Sequence, residues 1–303
     1  MAARDVFVIG SANTDFIVEV QRRPKPGETV LGSDLVTAPG GKGGNQAVAI
    51  ARLGGHVALL SRVGADWRGE ALRASLRAAG VDSRYVLGTP DVATGSAIVT
   101  VTPDGENTVV VSPGANAHVE RGDVDAAADE LRSARCVLVQ LELALAVVVH
   151  ALESAERAGV RAVLNAAPAR ALVRDVLALV DPLVVNEHEA AVLLEAGVDA
   201  ERPELAARAL LERGARSVVI TLGAAGAVAA DRSDGYCNVA APAVRAVDTT
   251  GAGDAFTGAL ALALARGATL AAAVHAGVRA GSFAVQRLGA QSSLPTSSDL
   301  DGS

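Results

Sequence analysis

The sequence predicts an α/β fold: a doubly wound, mostly parallel sheet flanked by helices, with a small antiparallel β lid. Three observations carry this. Short apolar runs alternate with amphipathic stretches along most of the 303 residues, the pattern of strands buried on both faces with helices crossing between them. Polar and glycine-rich motifs follow several of these runs directly. That places them at the carboxyl edge of the sheet, where open α/β folds bind ligands. Finally, two extended segments have no crossover helix. They form the lid, at about 13–38 and 94–113. No internal repeat divides the chain, so 1–303 reads as one domain with the lid as a sub-domain.

Taken in order, Val6–Ile9 is the first buried strand. Phe16–Val20 and Glu28–Leu35 are extended lid segments around the turn Arg23-Pro24-Lys25-Pro26-Gly27. A helix follows with Ala47, Ile50, Ala51 and Leu53 on its apolar face, then the strand Val57–Ser61 and the helix Gly69–Ala79. Gly95–Thr102 and Thr108–Ser112 flank Pro103-Asp104-Gly105-Glu106-Asn107, a strong hairpin signal. The strands Val137–Gln140, Ala162–Asn165, Leu183–Asn186 and Val218–Leu222 then alternate with helices Ala144–Ala158, His188–Ala196 and Pro203–Arg213. A long apolar helix, Ala255–Ala265, and a late helix around His275–Ala284 complete the fold. The polar end from Thr296 to Ser303 is expected to fray.

Half the residues are apolar but only 2% aromatic, so Ala, Val and Leu must build the core. A net charge of −7 argues against nucleic acid or an anionic membrane as partner. No apolar run reaches membrane-span length, and Met1-Ala2-Ala3-Arg4-Asp5 leads into a strand and not a signal-peptide core. Two cysteines, Cys136 and Cys237, and five scattered histidines offer neither a disulfide framework nor zinc-ligand spacing. A cytoplasmic enzyme is the expectation.

The chemistry concentrates in two glycine-rich turns. Asp248-Thr249-Thr250-Gly251-Ala252-Gly253-Asp254 runs straight into the helix Ala255–Ala265. A helix start leaves backbone N–H groups unpaired and carries partial positive charge, and glycines let an anion approach it. Asp254 is then a carboxylate beside an anion hole. Alone, it reads first as a helix cap. The second turn, Pro39-Gly40-Gly41-Lys42-Gly43-Gly44-Asn45-Gln46-Ala47, reverses that weighting. Its glycines, amine and amide suit a polyhydroxylated or anionic small molecule. Lys42 has no Ser or Thr after it, so this is not a Walker A loop, and the dinucleotide fingerprint is absent.

On these residues the chain resembles the ribokinase (PfkB) family of carbohydrate kinases, Gly40 to Ala47 matching the first family signature and Asp248 to Asp254 the second. Five more segments match in order: Gly10 to Asp15, Gln140-Leu141-Glu142, Asn186 to Glu189, Thr221 to Gly226, and Gly289-Ala290-Gln291. The resemblance spans Val6 to about Pro295 and implies transfer of the ATP γ-phosphoryl group to a sugar hydroxyl. It makes Asp254 the base, with the backbone of Gly251, Ala252, Gly253 and Asp254 as anion hole. Asn13, Asp15, Gly41, Lys42, Gly43, Asn45, Glu142 and Asp254 would hold the sugar. Asn186, Glu189, Thr221, Leu222, Gly223, Ala224, Ala225, Gly226, Gly253 and Asp254 would hold ATP, with Glu189 reaching Mg²⁺ through water. Potassium would sit among Asp248, Thr250, Ala284, Arg287, Gly289 and Ser293.

The joint presence of Asp15, Gly41-Lys42-Gly43, Asn45 and Glu142 matches the ribose-phosphorylating members, which implies D-ribose 5-phosphate as product. Gly44 departs from the Ala common there. Other members act on 2-deoxyribose, fructose or nucleosides, but few aromatics are available here to cover a base. A non-catalytic sugar sensor would lack the base or anion hole, and both are kept. The apolar face of the lid invites a second copy, so a homodimer through the lid is expected.

Overall fold

A computed structural model describes residues 4–103, 107–194, 202–232 and 235–301. Its strands are β1 Arg4–Ile9, β2 Asn13–Glu19, β3 Val36–Gly40, β4 Val57–Gly64, β5 Val86–Thr89, β6 Ser96–Val101, β7 Asn107–Ser112, β8 Ala134–Gln140, β9 Arg161–Asn165, β10 Leu183–Asn186, β11 Ser217–Thr221, β12 Ala227–Asp231 and β13 Gly235–Val239. Nine form the main sheet, in the order β13-β12-β11-β10-β9-β8-β1-β4-β5, and four form a second, smaller sheet, the expected lid, in the order β3-β2-β6-β7. Pairings from β5 through β11 are parallel, while β12 and β13 close the far edge antiparallel.

The apolar runs are continuous because both faces of the sheet are covered. Phe7 and Ile9 of β1 pack with Val137 and Val139 of β8 against the helix Leu145–Ala158. Val6 and Val8, with Cys136 and Leu138, face the helices Lys42–Arg52, Ala252–Ala265 and Leu270–Ala284. Successive strand residues thus alternate between two cores, each removing about 25 cal/mol of unfavourable hydration per Å² buried. The helix Ala252–Ala265 is apolar nearly all round because it sits between the sheet and its neighbour helices.

In the lid, β2 pairs antiparallel with β3 and β6 with β7, while the central β2–β6 pairing is parallel. β2 follows β1, and β6 follows β5, so both leave the same edge of the main sheet and run outward side by side. The expected strand over Glu28–Leu35 does not form. That stretch is exposed loop with a single bridge between Val20 and Gly32. The Gly32-Ser33-Asp34 run breaks it, and pairing resumes at Val36. The hairpin turn at 104–106 and the expected last residues of the helix 188–196 lie outside the described residues. The frayed end expected from Thr296 is instead a short helix, Ser297–Asp301. The Thr296 N–H and hydroxyl both donate to Asp299 Oδ2, which anchors its first turn.

Among the described residues, no helix is long and apolar enough to cross a membrane.

Candidate active site

Both glycine turns open helices at the carboxyl edge of the sheet, and they meet. Gly41 caps the helix Lys42–Arg52 with φ 83°, and Gly251 caps Ala252–Ala265 with φ 78°. Left-handed backbone of this kind favours glycine. At Gly251 a Cβ would also stand 2.9 Å from Ala290 Cα, so the turn is seated against the 289–291 segment. The helix Ala252–Ala265 thereby aims its first N–H groups and Asp254 at the first turn.

Asp254 is buried, and each of its oxygens accepts an amide hydrogen bond. Asn45 Nδ2 donates to Oδ2 at 2.9 Å and Gln46 Nε2 to Oδ1 at 2.9 Å. The two amides are held in turn. Gln291 Nε2 donates to Asn45 Oδ1 at 3.1 Å, Gln140 Nε2 to Gln46 Oε1 at 2.6 Å, and Gln46 Nε2 also reaches Asn165 Oδ1 at 3.0 Å. Burial raises the Asp254 pKa above the usual carboxylate range; Lys42 and the two amides pull against that rise without cancelling it. A carboxylate with raised basicity and fixed orientation suits proton acceptance.

The Ala252 N–H donates to the Thr249 carbonyl at 3.2 Å, so it is turned into the loop. The N–H groups of Gly253 and Asp254 have no acceptor among the described residues, as expected for the first turn of a helix. Of the 251–254 run expected as an anion hole, the Ala252 N–H is thus the one with a partner in the loop among the described residues.

Asp15 of β2 lies over Gly40, where a Cβ would come within 2.0 Å of its Oδ2. Its Oδ1 is buried without a hydrogen-bond partner. Burial, and then the Glu142 and Asp254 carboxylates, push the Asp15 pKa up to about 7. Glu142 accepts from the Ser11 hydroxyl and, at 3.1 Å, from the Lys42 backbone N–H. Burial disfavours the Lys42 ammonium, but Asp254, Glu142 and Glu189 together outweigh it and hold its pKa above the ordinary lysine value. Asn13, Asp15, the 41–45 turn, Glu142 and Asp254 thus lie together, with the Asp254, Glu142 and Glu189 carboxylates around the Lys42 amine.

Two cavities adjoin it. A chamber of about 210 Å³ is lined by Lys42, Asn186, Glu189, Gly253 and Asp254 among others. Lys42, expected beside the sugar, lines this chamber as well. Asn186 and Glu189 are paired reciprocally: the Asn186 N–H donates to Glu189 Oε2, and the Glu189 N–H to Asn186 Oδ1, both at 2.8 Å. Burial raises the Glu189 pKa above its usual range. A larger cavity of about 500 Å³ shares Thr221, Thr249 and Gly253 with the chamber and has the size of a small-molecule pocket. Thr221, Gly223, Ala224 and Gly226 line it; Leu222 and Ala225 do not. Its opposite wall includes Val278, Gly281 and Val285, as the late helix predicts, while His275 is on the exposed side. The loop Ala241–Ala246, Phe256 and Ser282 also line it, without any motif to announce them.

Asp248 joins the second turn to the late loop. Its Oδ1 accepts from Thr250 N–H at 2.9 Å and its Oδ2 from Gly289 N–H at 2.8 Å. Ser293 is fully buried and donates its hydroxyl to the Ala290 carbonyl at 2.8 Å. The acid and oxygen-rich segments expected around a monovalent cation are therefore neighbours.

Gln46, Gln140 and Asn165 fall inside motifs of the sequence reading but receive no role there; the structure joins them to Asp254. Gln140 and Asn165 end β8 and β9, and Gln46 stands next to Asn45. Their signal is position at the carboxyl edge.

A buried carboxylate beside unpaired helix N–H groups, with an amine opposite and a nucleotide-sized cavity behind, is the arrangement of a phosphotransferase. Residues 3–297 match the model of the pfkB family of carbohydrate kinases, and the chain belongs to that family. A ribokinase of Haemophilus influenzae is 37% identical over 295 residues, covering 95% of this chain and 94% of its own. A deoxyribokinase of Salmonella typhimurium is 36% identical over 294 residues, covering 96% of each. The structure of Arabidopsis thaliana ribokinase complexed with ribose and ATP matches with a TM-score of 0.91 at 31% identity, over 100% of this chain and 98% of that one. The chain is an ATP-dependent sugar kinase.

Proposed function

We propose that this kinase phosphorylates D-ribose on its 5-hydroxyl. The observation that carries this reading is the meeting of the two turns, Asn45 and Gln46 of the first binding both oxygens of Asp254 of the second. The sugar occupies the Asn13, Asp15, Lys42, Asn45 and Glu142 side, and the adenosine of ATP the larger cavity. Asp254 takes the proton as the 5-oxygen forms its bond to the γ-phosphorus. The bond from that phosphorus to the β–γ bridging oxygen breaks, and ADP leaves with the bridging oxygen. Gly253 and Asp254 N–H groups, with the Lys42 ammonium, stabilise charge on the transferring oxygens, the contribution that dominates such reactions.

Glu189, held in place by Asn186, would reach magnesium through water; the ion neutralises phosphate charge when bound. Among the described residues no three His, Cys, Asp or Glu side chains cluster as a metal cage, which suits an ion carried in on the nucleotide. Asp248 and the 284–293 loop would hold potassium, since the Asp248 oxygens and the Ser293 hydroxyl keep lone pairs beyond the bonds they make. A second copy of the chain would cover the lid, whose Val36, Ile98 and Val110 are large, apolar and more than half exposed. A monomer at micromolar concentration in analytical ultracentrifugation would reject the dimer.

The test is ADP release over a panel of pentoses, hexoses and nucleosides, with Asp254→Asn alongside. D-Ribose should give the highest kcat/KM, and the variant should lose at least about a hundredfold in kcat with sugar binding kept. A better acceptor elsewhere in the panel, 2-deoxyribose included, would replace ribose in this reading.

A further inference from the structure

Asn116 lies 103 positions beyond Asn13, in the short helical turn Gly114–His118 that follows β7. It is 1% exposed. Its Oδ1 accepts from the Ala12 backbone N–H at 3.0 Å. Its Nδ2 donates to the Ala12 carbonyl at 3.3 Å and to Asn13 Oδ1 at 2.8 Å. A backbone N–H only donates and a backbone carbonyl only accepts, so Ala12 fixes which end of the Asn116 amide is oxygen. The nitrogen of Asn116 therefore faces Asn13, and Asn13 must answer with its own oxygen. What Asn13 has left to offer a ligand is its NH₂, for which no acceptor exists among the described residues.

The bond crosses a place built for it. A Cβ at Gly95 would stand 2.2 Å from Asn116 Nδ2 and 2.4 Å from Asn13 Oδ1. On β2, Asn13 and Asp15 are two residues apart and share a face of the strand. The Asp15 Oδ1 is a buried oxygen without a partner. A donor and an acceptor thus stand side by side, and a sugar hydroxyl, which both accepts and donates, satisfies both.

We propose that Asn116 is a positioning residue for sugar recognition: it acts through Asn13, locking that amide with NH₂ toward the substrate beside the Asp15 acceptor. The site then discriminates against any sugar lacking the hydroxyl that bridges the two, because both groups would be left unpaired. The proposal rests on the sugar-kinase reading, though not on ribose being the preferred sugar.

The test is a double-mutant cycle of Asn116→Asp with Asn13→Ala, reading sugar KM, kcat and ATP KM. The carboxylate introduced by Asn116→Asp keeps an oxygen for the Ala12 N–H but has no hydrogen to orient Asn13. In the wild-type background the substitution should raise sugar KM about tenfold, with kcat and ATP KM within about twofold. In the Asn13→Ala background it should add less than about twofold. An equal rise in both backgrounds would assign Asn116 a purely structural role and overturn the proposal. Should Asn116→Asp fail to fold, Asn116→Ser runs the same cycle with the same two outcomes. The sugar used is D-ribose, or the best acceptor in the panel if that is another. A wrong substrate and a wrong role for Asn116 therefore give different results.

Discussion

Gln46 and Asp254, 208 positions apart, are joined by a buried hydrogen bond of 2.9 Å from the Gln46 amide to the Asp254 carboxylate. The donor favours the ionised form of the base against the burial that opposes it. Gln46→Leu removes it. The Asp254 pKa should then rise further, moving the acid limb of the kcat/KM profile to higher pH, as for loss of a hydrogen bond to a charged group. Activity should fall more at pH 6 than at pH 8. A uniform loss at both would show that Gln46 only supports packing.

Asp15 carries the opposite linkage to most surface carboxylates. Its pKa is about 7 in the folded protein against 3.8 for the free side chain. Between those values the folded state holds the extra proton, so this group's contribution to stability falls as pH rises from about 4 to 7 and is flat above. A sugar that donates to the Asp15 carboxylate requires the ionised form. Sugar binding measured by calorimetry should weaken about tenfold from pH 8 to pH 6, with proton release on binding in that window. In Asp15→Asn the affinity should be low and its pH dependence lost. Unchanged affinity across this range in the wild type would remove Asp15 from direct contact with the sugar.

How much was legible follows from the kind of signal each element carries. β1, β8, β9, β10 and β11 hold short apolar runs rich in Val, Ile and Leu because both their faces are buried, and the sequence marks them clearly. β12 and β13, reading AVAAD and GYCNV, are too alanine-rich or too polar to announce themselves and owe their existence to pairing on β11 and on each other. Asp254 and Asn45 are visible in glycine turns. Their convergence is implied only through the family resemblance, because nothing local encodes a bond across 209 positions. The motif likewise assigns the Ala252 N–H to the anion hole, whereas loop geometry at Thr249 turns it away.

Gly253 separates stability from function. A Cβ there meets nothing within 4 Å, and its φ is not left-handed. In a first helical turn, Gly253→Ala should leave the melting temperature unchanged or slightly raised, by up to about 1 kcal/mol of stability. Yet Gly253 lines both cavities, so the methyl would stand where the proposed reaction brings phosphate oxygens to its N–H. kcat/KM for ATP should fall at least about tenfold, given the cost of displacing a reacting group by a fraction of an ångström. A variant equally stable and equally active would place the phosphates elsewhere.

Asp248 links the catalytic turn to the late loop through the N–H groups of Thr250 and Gly289, and it is the one acid of the proposed potassium site. The proposed cation and the proposed base would thus act on opposite ends of one turn, since Gly251 and Asp254 follow Asp248 within six residues. Asp248→Asn keeps one oxygen and loses the charge. Wild-type activity should be several-fold higher in potassium than in sodium at equal ionic strength. The substitution should erase that difference and lower kcat about tenfold while sugar KM stays near wild type, because the anion hole is loosened and the sugar contacts are not. Equal wild-type rates in the two salts would remove the cation from the proposal and leave Asp248 as a brace for the turn. The variant should then lose stability in either salt alike.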